Sequence, residues 1–249
     1  MKAWLYPIFG LFVLVSKGLW ATDERVIFHS IPQSQTASIV AMLDERFSRE
    51  QIFPGNSFQQ VKNLKTLKRF SLFHGDFFYY QLKKLQAKRI AFLQYPIAYV
   101  LNEHRAWTLT PRNTEDPIET INNPQCRLLS SFRALRSIPI RDHLRSAQRN
   151  LKKFFFVGIY EDLEQSLQSL FILLGWRPPA FSPQTTTEEK SGEVSQEVRT
   201  ALRKRNWADI RLYQYAKKLY AKKLRTMQKS LVIKKGLPNG QSNHSSKST

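Results

Sequence analysis

The stretch that decides the fold reads Val26-Ile-Phe-His-Ser-Ile-Pro-Gln-Ser-Gln-Thr-Ala-Ser38. A short apolar run rich in β-branched residues is followed by a polar loop that opens at Pro32, and apolar residues then recur with helical spacing. These recurring residues are Ile39, Val40, Leu43 and Phe47. The pattern predicts a strand, a loop and a helix.

An anion is the ligand that such a loop favours. If Thr36 or Ser38 caps the first helical turn, the N–H groups of the loop and of the helix N-terminus converge on one spot and stabilise negative charge there. A phosphate or a sulfate has this charge. The stretch lacks the G-x-x-x-x-G-K-[ST] spacing of a nucleotide P-loop, so an ordinary strand-to-helix turn without a ligand is the alternative interpretation.

Similar units follow along the chain. Three more apolar runs predict strands, and the last two of them lead into apolar residues with helical spacing, as the connections of a parallel sheet require. The strands are predicted at Phe70–Gly75, Lys88–Pro96 and Phe154–Gly158. A helix from Leu163 should end at Gly175, and a long basic helix should run from Ser195 to Arg225. The proline-containing segment between Thr108 and Asp142 is predicted to be an irregular loop.

The N-terminus has the pattern of an export segment. Lys2 precedes an apolar stretch from Ala3 to Val15, and a cleavage point follows Ala21. The stretch is shorter than the roughly 20 residues of a spanning helix, which favours a cleaved signal. We therefore expect a secreted, periplasmic or secretory-lumen protein, with an anchor at residues 1–21 as the alternative. Cys126 is the only cysteine, so no internal disulfide is possible, and it is expected in the core.

Positive charge dominates the composition. The formal net charge is +20, from 39 Lys and Arg against 19 Asp and Glu, in 249 residues. The segment from Arg211 to Lys247 contains ten basic residues and no acidic one. Such a segment attracts a polyanion. We expect a sulfated or uronic polysaccharide or an anionic membrane surface as this partner, and not a nucleic acid. A solvated helix face without a partner is the alternative.

The stretch from His29 to Ser38 resembles the 5′-phosphosulfate loop of the carbohydrate sulfotransferases, whose usual form is H-I-P-K-T-x-G-T-S. Ile31, Pro32 and Ser38 match this form. Gln33 stands where the family has the lysine that assists departure of the sulfo group. The resemblance therefore implies a cofactor loop with its key charge missing, formed by Gln33, Ser34, Gln35, Thr36, Ala37 and Ser38.

The second predicted strand leads to His74-Gly75-Asp76-Phe77, where the family has G-H-F with the histidine as general base on the acceptor hydroxyl. Asp76 occupies the position of that base. A carboxylate is a weaker base unless burial raises its pKa. His74 would share a strand face with Asp76 and is the other candidate. A partly buried structural histidine and a helix-capping aspartate are the alternatives.

The third unit resembles the family's 3′-phosphate signature, L-R-[DHN]-P-x-x-R-x-x-S-x-Y-x-x-W. Its matching residues are Leu93, Pro96, Val100 and Trp107. Gln94 replaces the phosphate-binding arginine, and Asn102 replaces the phosphate-binding serine. Because a charged hydrogen bond to a phosphate is worth about 1.5–3 kcal/mol, Gln33 and Gln94 together predict weakened affinity for the cofactor.

Two later segments extend the resemblance over Val26 to Leu224. The signature F-V-G-x-x-E-x-L-x-x-S-L is matched from Phe156 to Leu167, and Asn206 to Ala216 is similar to the family's C-terminal helix. Arg127 and Arg133 are predicted to line a groove that binds an acidic acceptor, with ordinary surface arginines as the alternative.

The resemblance implies one three-layer α/β sulfotransferase domain at residues 22–228, followed by a disordered basic tail at 229–249. Its implied function is sulfo transfer from 3′-phosphoadenosine 5′-phosphosulfate to a glycan hydroxyl, with weakened or lost activity. A non-catalytic relative that binds an anionic glycan or envelope polymer is the alternative. The sequence has no metal-ligand spacing, so no metal is expected.

Overall fold

The computed structural model describes residues 25–30, 37–55, 67–75, 77–98, 122–132, 137–178 and 195–236, with only the backbone described for 231–236. The strands are β1 (Val26–His29), β2 (Leu72–Gly75), β3 (Lys88–Leu93) and β4 (Phe156–Ile159). The helices are α1 (Ala37–Asp44), α2 (Tyr79–Leu82), α3 (Pro124–Leu129), α4 (Ile140–Leu151), α5 (Leu163–Leu174), α6 (Gln196–Arg205) and α7 (Trp207–Gly236).

The four strands form one parallel sheet in the order β2-β1-β3-β4. Val26 of β1 lies opposite Leu72 on one side and opposite Lys88 on the other, and Ile90 of β3 lies opposite Phe156. The prediction of an α/β fold with a central parallel sheet is therefore confirmed. The strand-loop-helix unit at its start is present as β1 and α1, with loop residues 31–36 outside the described residues.

Apolar residues cover both faces of the sheet. Successive strand residues point to opposite faces, and Ile27 and Phe28, both completely buried, belong to two different core clusters. The larger cluster joins Phe28 to side chains of α1, α4, α5 and α7. The smaller one packs Ile27 against Phe53 and Phe73. A layer of chain on each face of the sheet produces the three-layer arrangement.

Helix α3 and the first residues of α4 lie where an irregular loop was predicted, and no element was predicted for the rest of α4. The buried face of α4 carries polar residues beside its leucines, and these polar residues interrupt the apolar pattern from which a helix is recognised. Asn150 Nδ2 donates to Leu129 O at 2.8 Å, and Ser146 Oγ accepts from Ser131 N at 2.9 Å. The polar face of α4 thus holds the chain that leaves α3, which the sequence pattern alone did not reveal.

The predicted C-terminal helix is two helices. The break falls at Asn206, whose side chain is used for a tertiary hydrogen bond to Asn123 N at 2.8 Å. Helix α7 then continues to Gly236, because no proline or glycine interrupts the chain before that residue. Residues 229–236, assigned to the predicted tail, are therefore helical, and residues 237–249 lie outside the described residues.

Two local predictions are confirmed. Helix α5 ends at Gly175, which has the left-handed φ of 71° that favours glycine after a helix. Cys126 is a free, completely buried residue. The N-terminal segment 1–21 lies outside the described residues. Among the helices that are described, none combines the length and the apolar character needed to cross a membrane.

Candidate functional site at the carboxyl edge of the sheet

The sheet has a topological switch point between β1 and β3. The chain leaves β1 toward β2 on one side, whereas it leaves β3 toward β4 on the other. In open parallel sheets, ligands bind in the crevice outside the carboxyl ends of the two strands at such a point. The residues at this edge are His29 and Ser30 after β1, and Gln94 after β3.

The first turn of α1 comes next in the described part of the chain after Ser30. Ala37 and Ser38 are exposed there, and the turn contains no acidic residue that would cancel the partial positive charge of the helix N-terminus. This part of the predicted anion loop is compatible with a phosphate or sulfate. Gln33, Ser34, Gln35 and Thr36 lie outside the described residues, so their roles stay predictions.

His29 fastens the end of β1 to the segment after β2. Its ring is completely buried, and Nδ1 lies 3.1 Å from the carbonyl oxygen of Phe77. The ring also lies 5.3 Å from that of Phe154, centroid to centroid. Burial lowers the pKa of His29 to about 4, so the ring is neutral near pH 7 and Nδ1–H donates to the carbonyl. No sequence pattern predicts a role for His29, because a histidine at a strand end has no distinctive pattern.

His74 is paired with Asp44 beneath the last turn of α1. His74 Nε2 lies 3.0 Å from Asp44 Oδ1, with the two side chains 23% and 38% exposed. Neither atom has an aligned hydrogen bond within the described part of the chain, so the contact is electrostatic when the imidazole is protonated. The structure thus gives this base candidate a carboxylate partner that the sequence did not predict. Asp76, the other candidate, lies outside the described residues.

Gln94 is held at the carboxyl edge by its backbone. Its carbonyl oxygen accepts from Gln125 Nε2 at 2.9 Å, and the next N–H, that of Tyr95, donates to Glu161 Oε1 at 2.5 Å. The side chain of Gln94 is buried and has no hydrogen bond to another described residue. The backbone of residue 94 is therefore fixed at the carboxyl edge, and its role in binding a cofactor phosphate stays a prediction. Asn102 lies outside the described residues.

A second polar cluster, the C-terminal clasp, joins α3 and β4 to α7 through Asn123, Glu161, Asp209 and Tyr213. Asp209 Oδ1 and Oδ2 accept from the N–H groups of Cys126 and Gln125 at 2.7 and 2.9 Å and so cap α3. In return, Asn123 Oδ1 accepts from the N–H groups of Ala208 and Asp209 at the start of α7. Asn123 adopts a left-handed φ of 51° in making these contacts.

Glu161 links this clasp to the carboxyl edge. Its Oε2 accepts from the hydroxyl of Tyr213 at 2.8 Å, while its Oε1 holds the turn after β3. Ser166 Oγ accepts from Ile159 N and donates to Ile159 O, both at 3.0 Å, which fixes the end of β4. Glu161 and Ser166, two residues matched in the F-V-G-x-x-E-x-L-x-x-S-L signature, therefore hold the backbone of the turn after β3 and of the end of β4.

Asp209 is the most strongly constrained carboxylate described. It is completely buried, and burial raises its pKa to about 6 against the opposing effect of its two backbone donors. Near pH 7 the carboxylate is ionised and accepts both N–H bonds. The same burial, aided by the nearby charge of Asp209, raises the pKa of the Cys126 thiol.

Arg127 lies beside this clasp. Its Nε donates to Asn122 O at 3.0 Å, so the guanidinium folds back over the start of its own helix. Its role in an acceptor groove stays a prediction, and Arg133 lies outside the described residues. Within the described ranges, no three histidine, cysteine or acidic side chains are grouped as a metal site requires.

The fold and this edge define a class, the parallel α/β proteins with a ligand crevice at the sheet's switch point. No family model matches the chain. The chain is 30% identical over 124 residues to heparan-sulfate 6-O-sulfotransferase 2 of Homo sapiens, and equally to that of Mus musculus. The similarity covers 45% of this chain and 20% of each relative, so the chain spans about a fifth of their length. It supports a distant relationship to sulfotransferases.

Proposed function

We propose that the protein is a sulfotransferase that acts on a glycan hydroxyl with 3′-phosphoadenosine 5′-phosphosulfate as donor, and that its affinity for this donor is weakened. The observation that carries the proposal is the strand-loop-helix unit β1–α1 at the switch point of a parallel sheet. The similarity to the two heparan-sulfate sulfotransferases supports the same chemistry and a glycan as acceptor.

The start of α1 supports the donor on the 5′ side of the proposed site. The donor supplies an activated sulfo group, and the exposed first turn of α1, with Ala37 and Ser38, would face its negative charge. The proton of the acceptor hydroxyl would pass to Asp76 or to His74. If His74 is the base, Nδ1 takes the proton, because Nε2 faces Asp44, and the carboxylate stabilises the resulting charge.

The 3′ side fits less well. An arginine at position 94 would form charged, paired hydrogen bonds with a phosphate, which an amide replaces by a neutral contact. Asn102 can still donate a hydrogen bond. Residues 33 and 94 are both glutamine, so each side of the donor lacks one positive charge that the family supplies. This pair of changes is why weakened affinity is part of the proposal.

The same two glutamines favour a second candidate function. A non-catalytic relative would bind an anionic glycan or envelope polymer through its basic surface, without the donor. Residues 1–21 would direct either protein to an exported location, as a cleaved signal or as an anchor. The intact mass of the exported protein would distinguish a cleaved signal from an anchor, because cleavage leaves a chain that begins near Thr22.

Titration calorimetry with adenosine 3′,5′-bisphosphate, the product form of the donor, tests the proposal. Micromolar binding supports the sulfotransferase. No binding heat at millimolar ligand contradicts it and leaves the non-catalytic function.

Restoring the missing charges sharpens this test. The double variant Gln33→Lys, Gln94→Arg should raise the affinity for the bisphosphate modestly above that of the wild type, because each change adds a charge-assisted contact. Adding Gln35→Gly and Thr36→Gly should strengthen binding further, since glycine lets the loop backbone approach a phosphate.

A matched control places the same charges elsewhere. Gln86→Lys with Gln214→Arg changes two exposed glutamines and should leave the affinity unchanged. If the quadruple variant folds normally and shows no binding at millimolar ligand, the pocket is closed to the donor and the sulfotransferase proposal is wrong.

A further inference from the structure

A groove between α4 and α7 lies apart from the carboxyl edge of the sheet. It has a volume of about 540 Å³, and one of its walls is a side of α4. The aromatic rings of Phe132 and Tyr215 line it together with the polar side chains of Asp142 and Gln148. We call this feature the α4–α7 groove. Neither the sequence motifs nor the proposed sulfo transfer makes use of it.

Three cations form a ridge along the groove. Arg145, Arg149 and Lys152 recur at helical spacings of four and three residues, so they project from one side of α4. From the first to the last, the ridge spans about 10 Å along the helix axis. This length is comparable to that of a disaccharide.

These cations are available for a ligand. Arg149 and Lys152 are exposed, and their side chains have no ion pair or hydrogen bond to another described residue. The side chain of Arg145 is 75% exposed, and its Nη1 lies 3.8 Å from Asp142 Oδ1. Such a long, exposed ion pair holds the guanidinium weakly.

The facing helix continues the positive track. Lys218 and Lys222 follow Tyr215 on α7 by three and seven residues, so they lie on the same side of that helix. Neither lysine has an ion pair with a described residue. Helix α7 runs from the carboxyl edge toward the amino edge of the sheet, since Tyr213 contacts Glu161 while Lys223 Nζ lies 5.3 Å from the ring centroid of Phe155. The track therefore leads away from the candidate donor site.

We propose that the α4–α7 groove is a second binding site, which holds a linear sulfated or uronic polysaccharide alongside the protein. Guanidinium groups pair with sulfate and carboxylate oxygens through two parallel hydrogen bonds. Phe132 and Tyr215 offer apolar ring surface for the C–H faces of sugar rings. Asp142 and Gln148 accept hydrogen bonds from sugar hydroxyls. The proposal rests on the proposed glycan partner but not on sulfo transfer.

The shape and composition of the groove favour a polysaccharide over other polyanions. A membrane surface is flat and cannot follow a concave groove between two helices. A DNA backbone carries a phosphate at every step and no hydroxyl group between them, so Asp142 would find no hydrogen-bond donor on it. A polysaccharide alternates anionic groups with hydroxyls, which is the alternation that these side chains present.

The test measures the dissociation constant of a fluorescent heparin oligosaccharide by anisotropy. The triple variant Arg145→Ala, Arg149→Ala, Lys152→Ala should weaken binding about tenfold or more, as several charged contacts are lost together. The control Lys83→Ala, Lys84→Ala, Lys204→Ala removes the same charge from exposed positions just after α2 and on α6 and should weaken binding less than about threefold. Equal losses in both variants would reduce the effect to general charge attraction and overturn the proposal.

A neutral variant separates stacking from charge. Tyr215→Leu keeps apolar packing on α7 but removes the aromatic face, and it should weaken binding about threefold at a salt concentration that screens distant charges. Unchanged binding in this variant would contradict a polysaccharide seated in the groove. Circular dichroism melting checks that each variant is folded.

Two competitors identify the partner class, and a third measurement separates the two proposals. Single-stranded DNA of equal charge and phosphatidylserine vesicles should each compete less well than heparin. If either competes better, and does so through the same three cations, the partner is a nucleic acid or a membrane and the proposal is wrong. Bisphosphate binding should be the same in wild type and triple variant, so a failed sulfotransferase test leaves the groove test intact.

Discussion

The C-terminal clasp and the carboxyl edge of the sheet are two polar regions a short distance apart, and they differ in how their polar groups are satisfied. In the clasp, Asp209 and Asn123 each accept two backbone N–H groups in the interior. At the edge, the backbone of Gln94 is bonded, but its side chain has no hydrogen-bond partner among the described residues.

The difference separates residues that hold the fold from residues that would bind a ligand. A buried N–H group that loses its acceptor costs about 1–3 kcal/mol, so a change in the clasp is a change in stability. A side chain that makes no hydrogen bond within the fold can change with little cost in the free energy of unfolding. The same fold can thus keep its framework while side chains without a structural contact change.

The largest effect is expected in the clasp. Asp209→Ala should lower the free energy of unfolding by about 3–5 kcal/mol at pH 7, because two buried N–H groups of α3 lose their charged acceptor. Urea denaturation measures this. The control is Asp162→Ala, which removes one exposed acceptor of the Tyr220 hydroxyl and should cost about 1 kcal/mol or less. Similar costs for the two variants would contradict the distinction between the regions.

The pH dependence of stability should show one group from each region acting in opposite directions. The pKa of Asp209 is raised from 3.8 to about 6, so the folded state favours its proton and this contribution is lost as pH rises through that range. The pKa of His29 is lowered from 6.5 to about 4, so its contribution is lost as pH falls through that range. Each amounts to at most about 3 kcal/mol, and in the wild type they largely cancel.

Single variants should reveal the opposite pH dependences of stability that Asp209 and His29 cause. Relative to the wild type, Asp209→Asn should lose stability toward pH 4, where the His29 effect remains. His29→Gln should lose stability toward pH 6, where the Asp209 effect remains. Urea midpoints at several pH values measure both slopes, and parallel curves for all three proteins would show that neither group titrates in this way.

A smaller effect is expected at Gly158, in the strand that leads to Glu161. A Cβ atom there would lie 2.7 Å from Cε1 of Phe92, which is too close for a buried ring to accept without shifting. Gly158→Ala should cost about 2 kcal/mol, and Phe92→Leu should recover part of that cost in the double variant. Additive losses in this double-mutant cycle would mean that the ring is not the obstacle.

The smallest effect is expected at the edge. Gln94→Ala should cost less than about 1 kcal/mol, because the turn after β3 is held by the backbone of residue 94 and by Glu161. Gln125→Ala should cost more, about 1–2 kcal/mol, since it removes the donor to that backbone. The reverse order in thermal or urea unfolding would place the stabilising contact in the Gln94 side chain.

The sequence predicted the sheet because the signals for its strands are local. Each strand is a short apolar run, and β2, β3 and β4 were each predicted within three residues of their observed ends, while β1 was predicted without bounds. Helix α5 was equally clear, since its apolar residues recur at helical spacing and Gly175 ends it. The position of Gln94 at the end of β3 also follows from the sequence once the strand is recognised.

Only the tertiary structure decided the polar contacts. Asp44 and His74 are 30 residues apart in sequence, and Asn123 and Asp209 are 86 apart, so no local pattern links them. Helix α4 was missed because its buried face is polar, and that polarity has meaning only beside the chain after α3. Periodicity records which residues leave water, whereas a buried hydrogen bond depends on a partner that folding brings within about 3 Å.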